Sequence, residues 1–249
     1  MLILLTNDDG IHAEGILTVE KELRKTAEVL LVAPDREQSA SSHSLTLERP
    51  LRLHQLGASR YTCDGTPTDC VMMAIHGILK HKPPDLLISG INHGHNMGED
   101  VTYSGTVAAA IEGSTMGIPS MAVSNTDAEN SKSFGPAAKF TARLAGKFHK
   151  LGLPPRTFLN INCPKLINNK MPGYKYTKLG QRVYKDIIIE KTDPRGRYYY
   201  WIAGEAEWKS VEGSDYEAVA NGFISISALK MNFTDLETIE KLRKLKLKI

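Results

Sequence analysis

The sequence predicts an α/β protein built on a doubly wound, mostly parallel sheet with a β-rich C-terminal extension. Three observations carry that prediction. Short unbroken apolar runs, such as "LILLT" and "EVLLVA", read as strands covered on both faces. Amphipathic helical patterns fall between them, as a sheet wound on two sides requires. After about Pro164 the helical patterns thin out, and aromatic and β-branched segments take over.

The elements follow in chain order. "LILLT" leads into a helix over Glu14–Lys25, with Ile16, Val19 and Leu23 on one face. "EVLLVA" is the next strand and ends at Pro34. "SLTLERPLRLHQL" alternates apolar and polar residues around Pro50, which suits an edge ribbon. In "GTPTDCV" Thr68 is the expected cap and Asp69 favours a first helical turn, giving a helix over Thr68–Lys80. "DLLISG", "SMAVSN" and "TFLNINC" read as further buried strands, separated by helices over Gly105–Met116 and Phe134–Lys150. Gly117 and Pro119 stop the first of these. "YKYTKLG", "RVYKDIIIE" and "RYYYWIAGE" read as antiparallel ribbon, with a turn at "KTDPRG". "FISISAL" is one more strand, and a short terminal helix covers Thr234–Lys246. Residues 1–163 thus form a Rossmann-like body. Residues 164–249 form an extension whose ribbon is marginal alone and needs the body or another subunit to pack on.

Composition narrows the function. Of 249 residues, 41% are hydrophobic and 24% charged, ordinary for a globular chain. Lys and Arg number 31 against 28 acids, a net charge of +3. That is too small to point to nucleic acid or an anionic membrane, and the basic "KLRKLKLKI" reads as a solvated tail. No apolar run approaches the ~20 residues of a membrane span, and "MLILLTNDD" lacks the features of a secretion signal. Cys63, Cys70 and Cys163 are odd in number and without C-x-x-C spacing. Reduced, buried thiols in the cytoplasm are the expectation.

In an open parallel sheet, ligands bind beyond the carboxyl ends of the strands, where strand order reverses. Four segments fall on that edge: "NDDG", "PDREQSASSHS", "SGINHGHNMGEDVTYSGT" and "SNTD". Asp8 and Asp9 adjoin, and ionised neighbours repel unless a cation or hydrogen bonds offset them. They supply hard anionic oxygens, and Ser39 and Asn92 add neutral ones. The set suits Mg²⁺ or Mn²⁺, not a Cys/His zinc site. A polar turn with a helix cap explains the same acids more blandly, and turn-making explains Asn92 and Asn96 equally well. "YSGTVAAAIEG" runs a small, hydroxyl-rich turn into a helix. Its free N–H groups, with the Ser104 and Thr106 hydroxyls and the open backbone of Gly105, suit a phosphate; simple capping by Ser104 is the alternative. His93-x-His95 is a weak metal pair without further ligands. Neither the dinucleotide fingerprint nor the triphosphate loop is present.

Together these motifs closely resemble the stationary-phase survival protein SurE family of nucleotidases. The resemblance rests on "LLTNDDG", "APDREQSASSHSLTLERPL", "CDGTPTDCV", "ISGINHGHNMGEDVTYSGTVAAAIEG" and "SDYEAVANGFISISAL", in order along most of the chain. It implies a divalent-metal phosphomonoesterase acting on nucleoside monophosphates, as a 5′- and also 3′-nucleotidase. It implies one metal per subunit, held by Asp8, Asp9, Ser39 and Asn92, with Asp8 as base or nucleophile. It implies phosphate contacts from Ser104, Gly105 and Thr106 with Asn96 close by, and a homodimer or homotetramer that exchanges C-terminal extensions. His43 stands where many relatives carry Asn, and "ISISAL" lacks a common Thr-Pro; neither departure touches these ligands. The site so assembled has no Lys or Arg, which phosphoryl transfer tolerates where the metal supplies the charge. A receiver domain also follows its first strand with paired acids. It needs a phosphorylatable Asp after "DLLISG" and a later Lys, and neither is present.

Overall fold

The computed structural model describes residues 1–80, 82–127, 130, 133–165, 172–184, 188–202 and 206–245. Strands β1 (Leu2–Thr6), β2 (Glu28–Pro34), β3 (Leu53–Gly57), β4 (Arg60–Cys63), β5 (Leu86–His93), β6 (Ser120–Asn125), β7 (Thr157–Cys163), β8 (Tyr174–Thr177) and β13 (Ile224–Lys230) form one sheet. Its order is β3-β4-β2-β1-β5-β6-β7-β13-β8. The pairs from β4 to β7 are parallel, while β3 and β13 run antiparallel to β4 and β7. From β1 the chain moves outward to β2 and then returns to the opposite side at β5. The strand order therefore reverses at the carboxyl ends of β1 and β5, where a ligand site is expected.

Side-chain alternation along each strand divides the core in two. Ile3, Leu5 and Ile88 face α1 (Glu14–Leu23) and α4 (Phe134–Ala145), packing with Ile16, Val19, Leu23 and Phe134. Leu2, Leu4, Leu30 and Leu87 face α2 (Pro67–Met72) and α3 (Gly105–Thr115), packing with Cys70, Val71 and Ala109. Each fully buried Leu or Ile contributes about 1.5–3 kcal/mol relative to exposure, so β1, covered on both faces, is a rigid floor for whatever follows Thr6. The three cysteines are free and buried.

Several local readings change. The first long helix after β4 is capped by Thr66, whose hydroxyl accepts from the Asp69 N–H at 3.1 Å while the Asp69 carboxylate accepts from the Thr66 N–H. This reciprocal box places the cap two residues before Thr68, and the helix starts at Pro67. After Met72 the helix continues as a π-helical stretch, Met73–Leu79. In "SLTLERPLRLHQL" the strand is confined to β3, which forms a hairpin with β4. Tyr174–Thr177 is not ribbon: it pairs in parallel with β13 at the sheet edge. The sheet thus draws on residues on both sides of 163. The antiparallel ribbon is built from β9 (Gln181–Tyr184) with β12 (Ala206–Lys209), and β10 (Ile188–Thr192) with β11 (Tyr198–Ile202). α5 (Asp215–Ala220) precedes β13, and α6 (Leu236–Lys244) is the last described helix. The end of the basic tail, 246–249, lies outside the described residues. No helix among the described residues is long and apolar enough to cross a membrane.

Candidate active site

The carboxyl ends of β1 and β5 open into a cavity of about 640 Å³. Asp8, Ser39, Asn92, Asn96 and Ser104 line it, so five predicted site residues from three of the four segments meet in one place.

β1 delivers the acids. Its turn is held by the Asn7 side-chain amide, which donates to the Gly10 carbonyl at 2.9 Å, and by the Ile11 N–H, which donates to Pro34 at 2.9 Å. Asp8 is buried and Asp9 half-buried. Burial pushes the Asp8 carboxyl up to about 6; bonds from Thr106 oppose the shift and the neighbouring Asp9 adds to it. Burial likewise raises Asp9 to about 6, against the His93 N–H, which donates to Asp9 Oδ2 at 3.2 Å, and aided by the charge of Glu37. Neither acid has an ion-pair partner among the described residues. Two desolvated carboxylates without a counter-charge are the arrangement a divalent cation relieves.

The neutral oxygens come from neighbouring elements. Asn92 sits at the end of β5, beyond a bulge at Gly90. Gly90 has φ +126°, and a Cβ there would lie 2.2 Å from the Val123 carbonyl oxygen, so a side chain does not fit. The Asn92 amide donates to the Gly94 carbonyl at 3.1 Å, and its Oδ1 faces the Thr106 hydroxyl. Ser39 is exposed, and its hydroxyl donates to Glu37 at 2.5 Å. Its loop is tied down by the Gln38 N–H, which donates to the Asp8 carbonyl at 2.7 Å. Further along the same loop the Ser42 N–H donates to the Tyr103 carbonyl at 3.0 Å.

The turn into α3 carries the remaining predicted residues. Ser104 caps the helix, accepting from the Val107 N–H at 3.1 Å. Gly105 packs directly on the acid: a Cβ there would stand 2.6 Å from Ser41 Oγ and 2.9 Å from Asp8 Cβ. Thr106 is fully buried, and its hydroxyl donates to Asp8 Oδ1 and lies 3.1 Å from Asn92 Oδ1. Asn96 is fixed in a buried polar network. Its N–H donates to Asn162 at 2.8 Å, its amide donates to Ser124 at 2.8 Å, and its carbonyl accepts from Asn160 and Asn162.

The cavity wall also holds His93 and His95, which the sequence offers only as a weak metal pair, and four residues that the sequence does not single out: Asp100, Tyr103, Arg182 and Ile202. The expectation of a site without Lys or Arg is corrected by Arg182, on β9. Its guanidinium pairs with Asp100, and its N–H donates to Glu99 at 2.7 Å. His95 Nε2 lies 3.7 Å from the same Asp100 carboxylate, and its ring meets the edge of Trp208 at 5.7 Å. Burial lowers the His95 pKa. His93 packs on Phe134 at 4.8 Å. Among the described residues, no group of three or more His, Cys, Asp or Glu could hold a metal ion. A cation here would therefore rest on two carboxylates, neutral oxygens and water, a pattern that suits Mg²⁺ or Mn²⁺.

Comparison with known proteins finds relatives along almost the whole chain. A family model described as survival protein SurE matches residues 3–186. A protein from Citrifermentans bemidjiense named 5'-nucleotidase SurE is 48% identical over 244 residues, covering 98% of each chain. One of the same name from Geotalea daltonii is 45% identical over 245 residues, again covering 98% of each. The crystal structure of a SurE protein from Aquifex aeolicus superposes with a TM-score of 0.88 at 41% identity, covering 99% of this chain and 100% of that one. With the family model spanning most of its length and relatives matched almost end to end, the chain belongs to the SurE survival-protein family.

Proposed function

We propose that the protein is a divalent-metal-dependent phosphomonoesterase that hydrolyses nucleoside monophosphates to nucleoside and phosphate. The observation that carries this is the meeting of Asp8 with Ser39, Asn92 and the Ser104 helix start in one cavity, with Gly105 packed against Asp8 and the half-buried Asp9 beside it, neither acid having a counter-charge among the described residues. Relatives named 5'-nucleotidase support the 5′ position, and we extend the proposal to 3′-monophosphates. Asp8, Asp9, Ser39 and Asn92 would hold one Mg²⁺ or Mn²⁺ per subunit. When bound, the ion polarises a phosphoryl oxygen and lowers the pKa of a coordinated water.

This chain's own residues do the positioning. Ser104, the Gly105 backbone and Asn96 face the phosphate, and the helix start favours its negative charge. One of the paired acids takes the proton of the attacking water. The cavity is large enough for a mononucleotide, and Tyr103, His93 and His95 give its walls flat surfaces. Phosphoryl transfer needs mainly such positioning and charge stabilisation.

A second copy of the chain completes the proposal. The β10–β11 hairpin exposes Ile188, Tyr198, Trp201 and Ile202, each more than 60% accessible. An apolar two-stranded hairpin is marginal alone, so a homodimer or homotetramer exchanging this ribbon covers it. The free, buried thiols fit the cytoplasm.

The test is phosphate release from a panel of nucleoside 5′- and 3′-monophosphates in EDTA, then in Mg²⁺ or Mn²⁺, beside Asp9→Asn. Metal-dependent release that falls at least about 100-fold in the variant supports the reading, since even outer-shell partners of a metal cost 10–100-fold. Wild-type turnover in the variant, or no release by folded wild type with any metal, overturns it. Light scattering of the intact protein reports the subunit number.

A further inference from the structure

We propose that Thr106 is a positioning residue for the Asp8 carboxylate and the Asn92 carbonyl oxygen, and makes no contact with phosphate. The proposal rests on the metal-site reading above and changes what one of its residues does. Thr106 stands second in α3, a position that ordinarily leaves an N–H and a hydroxyl for an anionic ligand. Here both act on Asp8. The hydroxyl donates to Asp8 Oδ1, and the backbone N–H lies close enough to that carboxylate to favour its charged form. The residue is fully buried.

The same hydroxyl lies 3.1 Å from Asn92 Oδ1. A hydroxyl has one proton, so the charged acceptor takes the stronger bond and the amide oxygen shares it. Two candidate metal ligands, one after β1 and one on β5, are thereby gathered around a single donor. The cap at Ser104 is satisfied separately, through the Val107 N–H, so the helix does not need the Thr106 side chain to start. Removing the hydroxyl should loosen both ligand oxygens and leave the helix and the Ser104–Gly105 phosphate contacts in place.

The test compares Thr106→Val, which keeps shape and the backbone N–H, with Thr106→Ser, which keeps the hydroxyl. Mn²⁺ alone is titrated calorimetrically into the chelator-stripped, full-length protein. Inorganic phosphate is then titrated at saturating Mn²⁺, and circular dichroism confirms the fold. The Val variant is expected to bind Mn²⁺ about 10–100-fold more weakly. Its phosphate affinity is expected to stay within about twofold of wild type, with Ser restoring Mn²⁺ binding. In turnover, added Mn²⁺ should recover kcat for Val without a change in KM. Unchanged Mn²⁺ affinity in Val overturns the proposal, as does weaker phosphate binding at saturating metal. A wild-type chain that binds no Mn²⁺ overturns both it and the metal site. The titrations need no turnover. A wild type that binds Mn²⁺ yet releases no phosphate overturns the phosphatase reading alone, and the Val-to-Ser comparison still decides the role of Thr106.

Discussion

Arg182 pairs with Asp100 across 82 residues of sequence, and both line the cavity that holds Asp8. The pair fastens the C-terminal ribbon to the loop between β5 and α3. Its side chains are 21% and 12% accessible, so the pair is largely desolvated. Removing one partner leaves the other charge poorly compensated. Arg182→Met should destabilise the protein by about 2–3 kcal/mol, below the full cost of breaking a buried pair because water reaches the guanidinium. It should also raise KM about tenfold, by freeing one wall of the cavity. Urea denaturation and steady-state kinetics check this. Adding Asp100→Asn should cost less than the sum of the two single changes, and simple additivity would mean that the pair does not act as a unit.

A second clasp lies beside the first. The Asp215 carboxylate accepts from the N–H groups of Gly98 at 3.0 Å, Gly180 at 2.8 Å and Tyr216 at 2.8 Å, and the residue is fully buried. Two segments distant in sequence, at Gly98 and Gly180, thus converge on the start of α5. Asp215→Ala strands three buried donors and should cost about 3–5 kcal/mol. Asp215→Asn keeps one acceptor oxygen and should cost roughly half as much. Chemical denaturation of both variants measures the difference. An Ala variant within about 0.5 kcal/mol of wild type, the range of ordinary surface changes, would show that the clasp carries no stability.

These two clasps mark what could be read from the sequence and what could not. Asp8, Asn92 and Ser104 were legible because each sits at the end of a strand or the start of a helix whose apolar pattern is strong. The topology of a doubly wound sheet brings those ends together. Arg182 was not legible, since its contact depends on how a twisted ribbon of short strands folds back, and period-two patterning does not fix that path. Tyr174–Thr177 failed for a related reason: its alternation fits an edge strand as well as a ribbon, and the choice of β13 as partner is tertiary. Thr106 was visible as part of a hydroxyl-rich turn, but the direction of its hydroxyl is set by Asp8, about a hundred residues earlier. The cap moved from Thr68 to Thr66 because the sequence offers two hydroxyls, and only one has Asp three residues on to complete the box.

The paired acids predict a pH dependence of stability in the metal-free protein. Asp8 and Asp9 are both raised from 3.8 to about 6, chiefly by burial. Between those values the native state holds more protons than the unfolded chain, so stability falls as pH rises. The contribution is fully present below the unfolded value and is lost as pH passes the native value. In EDTA, the melting temperature of wild type relative to Asp8→Asn should therefore decline from about pH 4 to about pH 6 and then level. Saturating Mg²⁺ or Mn²⁺ should stabilise wild type mainly above that range, since the ion binds the ionised pair. A difference curve flat across the whole range would remove the burial argument.

Gly105 provides the sharpest separation of stability from activity. Its backbone is helical and unstrained, so by intrinsic propensity Ala at this position would favour α3 by up to about 1 kcal/mol. The obstacle is space. The added carbon would stand 2.6 Å from Ser41 Oγ, 2.9 Å from Asp8 Cβ and 3.1 Å from Asp8 Oδ2. Asp8 follows a strand packed on both faces and yields little, so the loop carrying Ser39 and Ser41 must move. Gly105→Ala should leave the melting temperature within a few degrees of wild type. It should lower kcat/KM about 100-fold, the effect of roughly 1 Å of misplacement at a reacting centre. Gly135 is the control: it lies in the first turn of α4 and a Cβ there meets nothing within 4 Å. Gly135→Ala should raise stability by about 0.4–1 kcal/mol and leave turnover unchanged. Equal activity in the two variants would show that the contact between Gly105 and Asp8 does not set the geometry of the site.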